Sequence, residues 1–171
     1  KLAWWGLVAP RWTETRPLVV LQAVVMGERG VLLAVRSDLR GWELPGGTLE
    51  LGESNEEALR RELREETSLD VAVGRFVGEY IRSGFRPHTA RVYLCEVRGG
   101  TAQPGDETRQ LDWFRPEDLP ATLFPWYHEP LRDALAEPRP PVIRHEHQGL
   151  GAIWAGLRID LIMRLRASAK D

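Results

Sequence analysis

The stretch GTLELGESNEEALRRELREETSL, residues 47–69, determines how the rest of this chain is interpreted. Ser54 is followed three residues later by Glu57, a capping box that predicts the start of a helix. Apolar residues then recur at helical spacing and are expected to face the core: Ala58, Leu59 and Leu63. The stretch therefore predicts one helix packed on a globular domain.

Three carboxylates crowd this predicted helix. Glu62, Glu65 and Glu66 are spaced i, i+3, i+4, so they leave the same face, where like charges repel one another. A hard divalent cation with oxygen ligands would offset the repulsion. A solvent-exposed helix with salt bridges between charges of opposite sign is the alternative, because such charge runs are usually solvated.

The sequence GWELPGG, residues 41–47, comes just before the helix. Adjacent glycines permit positive φ angles and let a ligand approach the backbone closely. A plain salt-bridged helix would not require this turn. The two features in this order favour a site that binds an anion and a metal ion.

The stretch also resembles the signature of a known family. The residues follow the pattern G-x5-E-x7-R-E-L-x-E-E-x-S-L and are Gly47, Glu53, Arg61, Glu62, Leu63, Glu65, Glu66, Ser68 and Leu69. This pattern is similar to the Nudix box of the MutT/Nudix hydrolases, apart from Ser68, where the family has Gly. That Gly closes the helix in a left-handed conformation, so Ser68 is expected to cost about 1 kcal/mol unless the turn is rebuilt.

The resemblance implies a fold and a reaction. The fold is a Nudix-type α/β/α sandwich with a mixed central sheet, whereas the pattern of elements alone gives only α/β or α+β. We expect residues 17–137 to form this domain. The activity implied is metal-dependent hydrolysis of a diphosphate bond, in a nucleoside diphosphate linked to a second group or in a nucleoside triphosphate, by attack of water on phosphorus.

The resemblance also implies roles for individual residues. The metal ligands would be the Gly46 carbonyl and the side chains of Glu62, Glu65 and Glu66, with Mg²⁺ as the cofactor and Mn²⁺ as a substitute. Arg61 would orient Glu62 or Glu53 through an ion pair, with a purely structural salt bridge as the alternative. The catalytic residues expected are Glu53, Arg61, Glu65, Glu66 and Glu107.

The resemblance leaves the general base open between a glutamate of the box and an acid of a distal loop. Glu107, in such a polar loop, is favoured as an additional metal ligand or as the base, with a solvated acid as the alternative. Arg82, Arg86 and Arg91 are candidates to bind substrate phosphates. His145 and His147, around Glu146, are interpreted as surface residues of a polar linker, with a zinc site as the alternative, and His88 and His128 as isolated surface or capping residues. The sequence does not identify the nucleotide.

Composition agrees with a globular enzyme. The 171 residues suit one domain, and the net charge of −2 gives no support for nucleic-acid binding. Cys95 is the single cysteine, which excludes an intrachain disulfide and suits a cytoplasmic location. It lies in an alternating run and is predicted to be a core residue.

The remaining elements are read from periodicity. Residues 18–37 predict a β-hairpin, and a short strand is expected around residues 42–44. Residues 70–83 predict strands broken at Gly74 and Gly78, followed by a strand at residues 90–99. A short strand at 111–114 and a helix at 125–136 complete the predicted domain.

Two segments lie outside it. Residues 1–16 are rich in tryptophan, and residues 138–171 are predicted to be a proline linker followed by an apolar helix at 149–166. Packing of this helix on the domain or on the N-terminal tryptophans is preferred, and a homodimer contact or a membrane-surface helix are the alternatives. Two other functions also remain open: a catalytically silent nucleotide-binding regulator, and an interaction module that uses the apolar termini.

Overall fold

The computed structural model describes residues 18–136 and 140–168. Within these ranges the strands are β1 Val19–Gly27, β2 Gly30–Arg36, β3 Trp42–Glu43, β4 Leu69–Gly84, β5 His88–Gly100, β6 Thr108–Phe114 and β7 Val142–Gln148. The helices are α1 Asn55–Thr67, α2 His128–Leu135 and α3 Leu150–Ser168, with a 3-10 turn at Pro125–Tyr127 before α2.

The described strands form one mixed sheet. Its order is β3-β2-β1-β5-β4-β7, and β6 pairs with β2. The β1–β5 and β4–β7 pairs are parallel, and the other pairs are antiparallel. The mixed sheet confirms the predicted fold class.

Helices cover both faces of the sheet. One buried cluster lies under α1 and includes Ala58, Leu59 and Leu63, as their spacing predicts. The opposite cluster includes Leu131 of α2 and Ile159 of α3. The three layers are those of an α/β/α sandwich.

The predicted hairpin is present, but its strands separate soon after the turn. β1 and β2 pair only at Met26–Val31 and Gly27–Gly30. Beyond that point the backbone of residues 45–48 takes the place beside β1, where the Leu21 N–H donates to the Gly47 carbonyl at 2.7 Å. This separation brings the glycine turn into the middle of the fold.

Two predictions about the strands were wrong. Residues 69–84 form one continuous strand, and the glycines at 74 and 78 lie where its pairing with β5 shifts register instead of where it breaks. Residues 142–148 form β7 and pair with residues 78–84 of β4, so His145 and His147 lie on an edge strand and not in a linker.

The C-terminal segment is joined to the sheet by ion pairs. Arg82 of β4 is buried and pairs with Glu146 of β7 at 2.9 Å. Arg144 of β7 pairs with Asp133 of α2 at 2.6 Å. The helix predicted at 149–166 is present as α3. The tryptophan-rich segment 1–16 and residues 137–139, which include the start of the predicted linker, lie outside the described residues, so the division into domains stays a prediction.

No helix within residues 18–136 and 140–168 is long and apolar enough to cross a bilayer.

Candidate active site

Helix α1 begins as its capping box predicts. The Ser54 side chain accepts from the Glu57 N–H, and the Glu57 carboxylate accepts from the Ser54 N–H at 2.9 Å. Since the apolar stripe of α1 faces the sheet, its acidic residues point toward the glycine turn or along the edge of the helix. The capping box and the apolar stripe therefore fix where α1 begins and which side faces the sheet, independently of any ligand.

The glycine turn lies close to both β1 and α1. Gly46 has a φ of +148°, and a Cβ there would lie 2.1 Å from the Leu21 carbonyl oxygen. A Cβ at Gly47 would lie 2.2 Å from the carboxyl carbon of Glu62. At Gly46 only glycine fits without a shift of the backbone, and at Gly47 a side chain would have to displace Glu62, so the turn lies directly against the acidic face of α1.

Arg61 bonds to several acidic residues beside the glycine turn. Its guanidinium donates to Glu53 at 2.8 Å and to Glu62 at 3.0 Å, and it reaches Glu65 at 3.5 Å. It also donates to the Thr48 carbonyl at 3.1 Å. The predicted ion pairs of Arg61 with Glu53 and Glu62 are both present.

The same guanidinium controls the ionisation of Glu53. The hydrogen bonds from Arg61 lower the pKa of the Glu53 carboxyl to about 2. Glu53 is therefore charged at neutral pH and holds Arg61 in place beside Glu62.

Glu62, Glu65 and Glu66 of α1 form what we call the acidic cluster, and Glu66 is the most buried of the three. Its side chain is buried, and its Oε2 accepts from the Gly46 N–H at 2.9 Å. Burial raises the pKa of Glu66 to about 7, and the charges of Glu62 and Glu107 add to this, against the opposing effects of the Gly46 N–H and Arg36. A cation bound at this carboxyl would take the place of its proton and stabilise the ionised form.

Glu43 lies in the same region and was not singled out from the sequence. It belongs to β3, and its carboxylate accepts from the Tyr127 hydroxyl at 3.3 Å. Burial raises the pKa of Glu43 to about 8, and the nearby charge of Glu66 contributes to the rise. Its position between the buried residues Trp42 and Leu44, directly before the proline and the glycines, was the available signal.

Arg36 is the cation that these acids share. At the end of β2, its guanidinium lies 3.1 Å from Asp38, 3.9 Å from Glu43 and 3.7 Å from Glu107. Sequence reasoning also missed Arg36, because it appears only as the last residue of an apolar strand. Three acidic side chains therefore lie within 3.9 Å of the Arg36 guanidinium.

The loop before β6 packs on the end of α1. The Gly105 N–H donates to the Glu66 carbonyl at 3.0 Å, and the Gln103 N–H donates to the Thr67 carbonyl at 2.9 Å. Glu107 follows in this loop with an exposed side chain. The predicted additional acid therefore lies at the edge of the cluster, 3.7 Å from Arg36.

The three arginines predicted to bind phosphate have different surroundings. Arg82 is buried and bonds to Glu146, His88 and the Trp126 carbonyl. Arg91 pairs with Glu79 at 2.8 Å, and Arg86 lies in the exposed loop between β4 and β5. The contacts of Arg82 suit a structural role better than a substrate contact.

The donor chemistry of the cluster fits a hard divalent cation. Carboxylate and carbonyl oxygens are the ligands such ions prefer, and burial raises the pKa of Glu66, so the present surroundings disfavour its charged form. Within the described ranges, no three acidic, imidazole or thiol groups are already arranged around one point. Glu62 and Glu65 would have to turn from Arg61 to complete such a site.

The chain is similar to proteins of known type. Residues 16–135 match the family model of the NUDIX domain. A "MutT-like protein" of Streptomyces ambofaciens is 35% identical over 144 residues, which cover 82% of this chain and 93% of that protein. The "CTP pyrophosphohydrolase" of Escherichia coli strain K12 is 37% identical over 58% of this chain and 76% of that protein.

A solved structure has the same fold. The crystal structure of an ADP-ribose pyrophosphatase from Streptococcus suis superposes with a TM-score of 0.60 and 28% identity, over 77% of this chain and all of that one.

Proposed function

Because the chain belongs to the Nudix hydrolase family, we propose that its acidic cluster cleaves the diphosphate bond of a nucleotide with the help of a divalent cation. The substrate class is a nucleoside triphosphate or a nucleoside diphosphate linked to a second group. The observation that carries the proposal is the buried carboxyl of Glu66, held against the Gly46 N–H with a pKa raised to about 7. A cation bound there would favour the ionised carboxylate and release its proton near neutral pH.

The residues proposed to hold the cation are the Gly46 carbonyl, Glu62, Glu65 and Glu66. Nudix hydrolases generally use divalent ions, and we propose Mg²⁺, with Mn²⁺ as a substitute, because all these donors are oxygens. When bound, such an ion neutralises phosphate charge and makes a water molecule more acidic. The exposed Glu65 and the flexible end of Glu62 allow the cluster to close on it.

The surrounding residues have supporting roles in this proposal. Glu53 is charged and holds Arg61, and Arg61 keeps the carboxylates of Glu62 and Glu65 at the mouth of the glycine turn. In this proposal, Arg61 can move toward the exposed side of the acidic cluster when the substrate binds. Glu53 and Arg61 are therefore proposed as positioning residues.

We assign the proton transfer from the attacking water to Glu66 or Glu107. Glu66 is a candidate because its carboxylate lies against the Gly46 N–H, and a bound cation would keep it ionised. Glu107 is exposed in a loop that packs on α1 and lies 3.7 Å from Arg36. Arg86, in an exposed loop, is the arginine among the three predicted that remains available to a phosphate, whereas Arg82 and Arg91 are paired.

A panel of nucleotides tests the proposal. It contains deoxynucleoside triphosphates and their oxidised forms, CTP, ADP-ribose, nucleotide sugars, diadenosine polyphosphates and NADH, each with Mg²⁺, Mn²⁺ or EDTA. Cleavage of one class that EDTA abolishes is the expected result. Tight binding with no cleavage under any cation would favour the silent regulator instead.

We propose that the protein works in a reducing compartment such as the cytoplasm. Cys95 is fully buried, and burial raises the pKa of its thiol to about 12, which suits an inert core residue. Activity unaffected by a reducing agent is the expected result, and activation by oxidant would contradict it.

A further inference from the structure

Helix α3 is apolar on the side that packs against the domain and on the opposite side. On the inner side Ile159 is buried against Gly41 and Phe124. On the other side, five large apolar residues are between 47% and 76% exposed: Leu150, Trp154, Leu157, Leu161 and Leu165. Their spacing of three or four residues places them along one side of the helix. We call this side the outer face of α3.

Exposed apolar side chains are concentrated on the outer face of α3. The described residues leave ten large apolar side chains exposed, and five of them lie on the outer face of α3. Scattered exposed apolar residues are normal, but a continuous stripe of this kind marks an interaction surface. The helix is 19 residues long and so extends for about 28 Å.

Polar contacts fix which side of α3 faces outward. The Asp160 carboxylate accepts from the Arg40 N–H at 2.8 Å and from Arg164 at 2.6 Å. Arg164 also donates to the Asp38 carbonyl at 3.2 Å. These bonds hold the helix on the loop between β2 and β3, so the helix cannot turn its outer stripe inward.

The charges of the outer face have one sign. Asp160 is the only acidic residue of α3, and its carboxylate is used on the inner side. Arg158 is exposed beside the apolar stripe, whereas Arg166 lies seven residues after the buried Ile159 and so on the inner side of the helix. The outer face therefore combines apolar groups, one tryptophan and one cation, without an exposed acid.

We propose that the outer face of α3 lies on the surface of an anionic phospholipid bilayer. Helices that lie in a membrane interface bury Leu and Trp at the boundary with the acyl chains, while Arg side chains reach the headgroups. Each Arg near an anionic surface contributes about 1 kcal/mol of attraction. The charge and the apolar groups of this face both match such a surface.

A second copy of the chain fits the same face less well. Arg158 lies next to the middle of α3 and beside the stripe, so in an antiparallel pair centred on the helix it would lie against the Arg158 of the second copy. Like charges facing one another at the centre of an interface destabilise it. A bilayer with anionic lipids has no such conflict.

Vesicle flotation with the full chain tests the proposal. We expect the protein to float with vesicles of phosphatidylcholine and phosphatidylglycerol, to float much less with phosphatidylcholine alone, and to be released by high salt. The double variant Trp154→Ser/Leu161→Ser is expected to reduce the bound fraction at least about tenfold, because it removes apolar groups that the membrane would bury. Both positions are exposed, so its thermal unfolding and nucleotide hydrolysis should be unchanged.

Charge-matched variants separate the role of Arg158 from net charge. Arg158→Glu should weaken flotation with the anionic vesicles, whereas Arg98→Glu, a change of the same charge at an exposed site on β5, should not. Failure of the wild type to float would overturn the proposal, as would undiminished flotation of the double variant. Equal binding to neutral and anionic vesicles would contradict the charge argument. Sedimentation showing a dimer that the double variant dissociates would assign the face to self-association instead.

Discussion

At the scale of single residues, Ser68 closes α1 in a conformation that favours glycine. Its φ is +59°, and within the described ranges it is the one residue other than glycine with a positive φ. The turn has therefore not been rebuilt around the serine, and the expected strain is present. A side chain in this left-handed region costs about 1 kcal/mol.

Ser68→Gly should therefore raise the free energy of unfolding by up to about 1 kcal/mol, without changing the active site. Urea denaturation measures this as a higher midpoint with an unchanged slope. Ser37→Gly is the control, because Ser37 has an ordinary φ and its replacement should give no gain. Equal effects of the two changes would contradict the assignment of strain to Ser68.

The two glycines of the turn should respond differently to the same methyl group. At Gly46 a Cβ would meet the Leu21 backbone, so Gly46→Ala should destabilise the fold. At Gly47 it would meet the flexible end of Glu62, which can move aside. Gly47→Ala is therefore expected to lower kcat while leaving thermal unfolding nearly unchanged. Loss of stability without loss of kcat at Gly47 would contradict the placement of Glu62.

At the scale of secondary-structure elements, β2, β3 and α1 bring buried acids together around Arg36. Glu43 has a pKa of about 8 and Glu66 of about 7 in the fold, against an ordinary value of 4.5. The folded protein thus binds more protons than the unfolded chain between these values. The free energy of unfolding should consequently fall as the pH rises from about 4.5 to about 8 in the absence of a divalent cation.

Glu43→Gln removes one of these titrations. The variant should lose less stability over that pH range and be more stable than the wild type at pH 8, by on the order of 1–3 kcal/mol. Thermal unfolding at a series of pH values in EDTA measures this. Glu56→Gln, at an exposed site on α1, should follow the wild-type curve. A Glu43→Gln curve parallel to the wild type would show that Glu43 is ionised throughout.

The sequence predicts some helices and strands better than others. Helix α1 follows from local signals, since Ser54, Glu57 and the apolar stripe all lie within ten residues of one another. Strand β7 was missed because residues 144–148, RHEHQ, have no apolar alternation and pair with β4, which is distant in sequence. Such nonlocal pairing leaves no local pattern.

The residues of the candidate site also divide into those that the sequence predicts and those that it does not. Glu62, Glu65 and Glu66 are apparent from their spacing on one helix. Arg36 and Glu43 join them only because β1 and β2 separate and the glycine turn takes the place beside β1. The pKa of Glu66 depends on that burial and so could not be obtained from the helix alone.

At the scale of the whole molecule, the C-terminal segment is part of the sheet. The Arg82 side chain is 1% exposed and pairs with Glu146 of β7, which lies beyond the residues that match the family model. Removing one partner of a buried pair leaves the other charge without its counter-ion, which is strongly unfavourable. The core of the domain therefore depends on this segment.

Glu146→Ala should lower the free energy of unfolding by about 3 kcal/mol. The exposed pair of Arg98 and Glu96 provides the control, since Glu96→Ala should cost less than about 1 kcal/mol. Urea denaturation compares the two. Similar small effects would mean that β7 adds little to the stability of the domain.

The central claim is that the cluster around Glu66 carries cation-dependent hydrolysis. Loss of a group that binds the cation costs several kcal/mol in the transition state, and each 1.36 kcal/mol is a factor of ten in rate. The most direct test is the Mg²⁺-dependent turnover of the best substrate by the wild type, Glu66→Gln and the control Glu56→Gln. We predict that Glu66→Gln lowers kcat at least about a hundredfold with the fold intact, while Glu56→Gln retains the wild-type rate. An unchanged rate for a folded Glu66→Gln would contradict the assignment of the site.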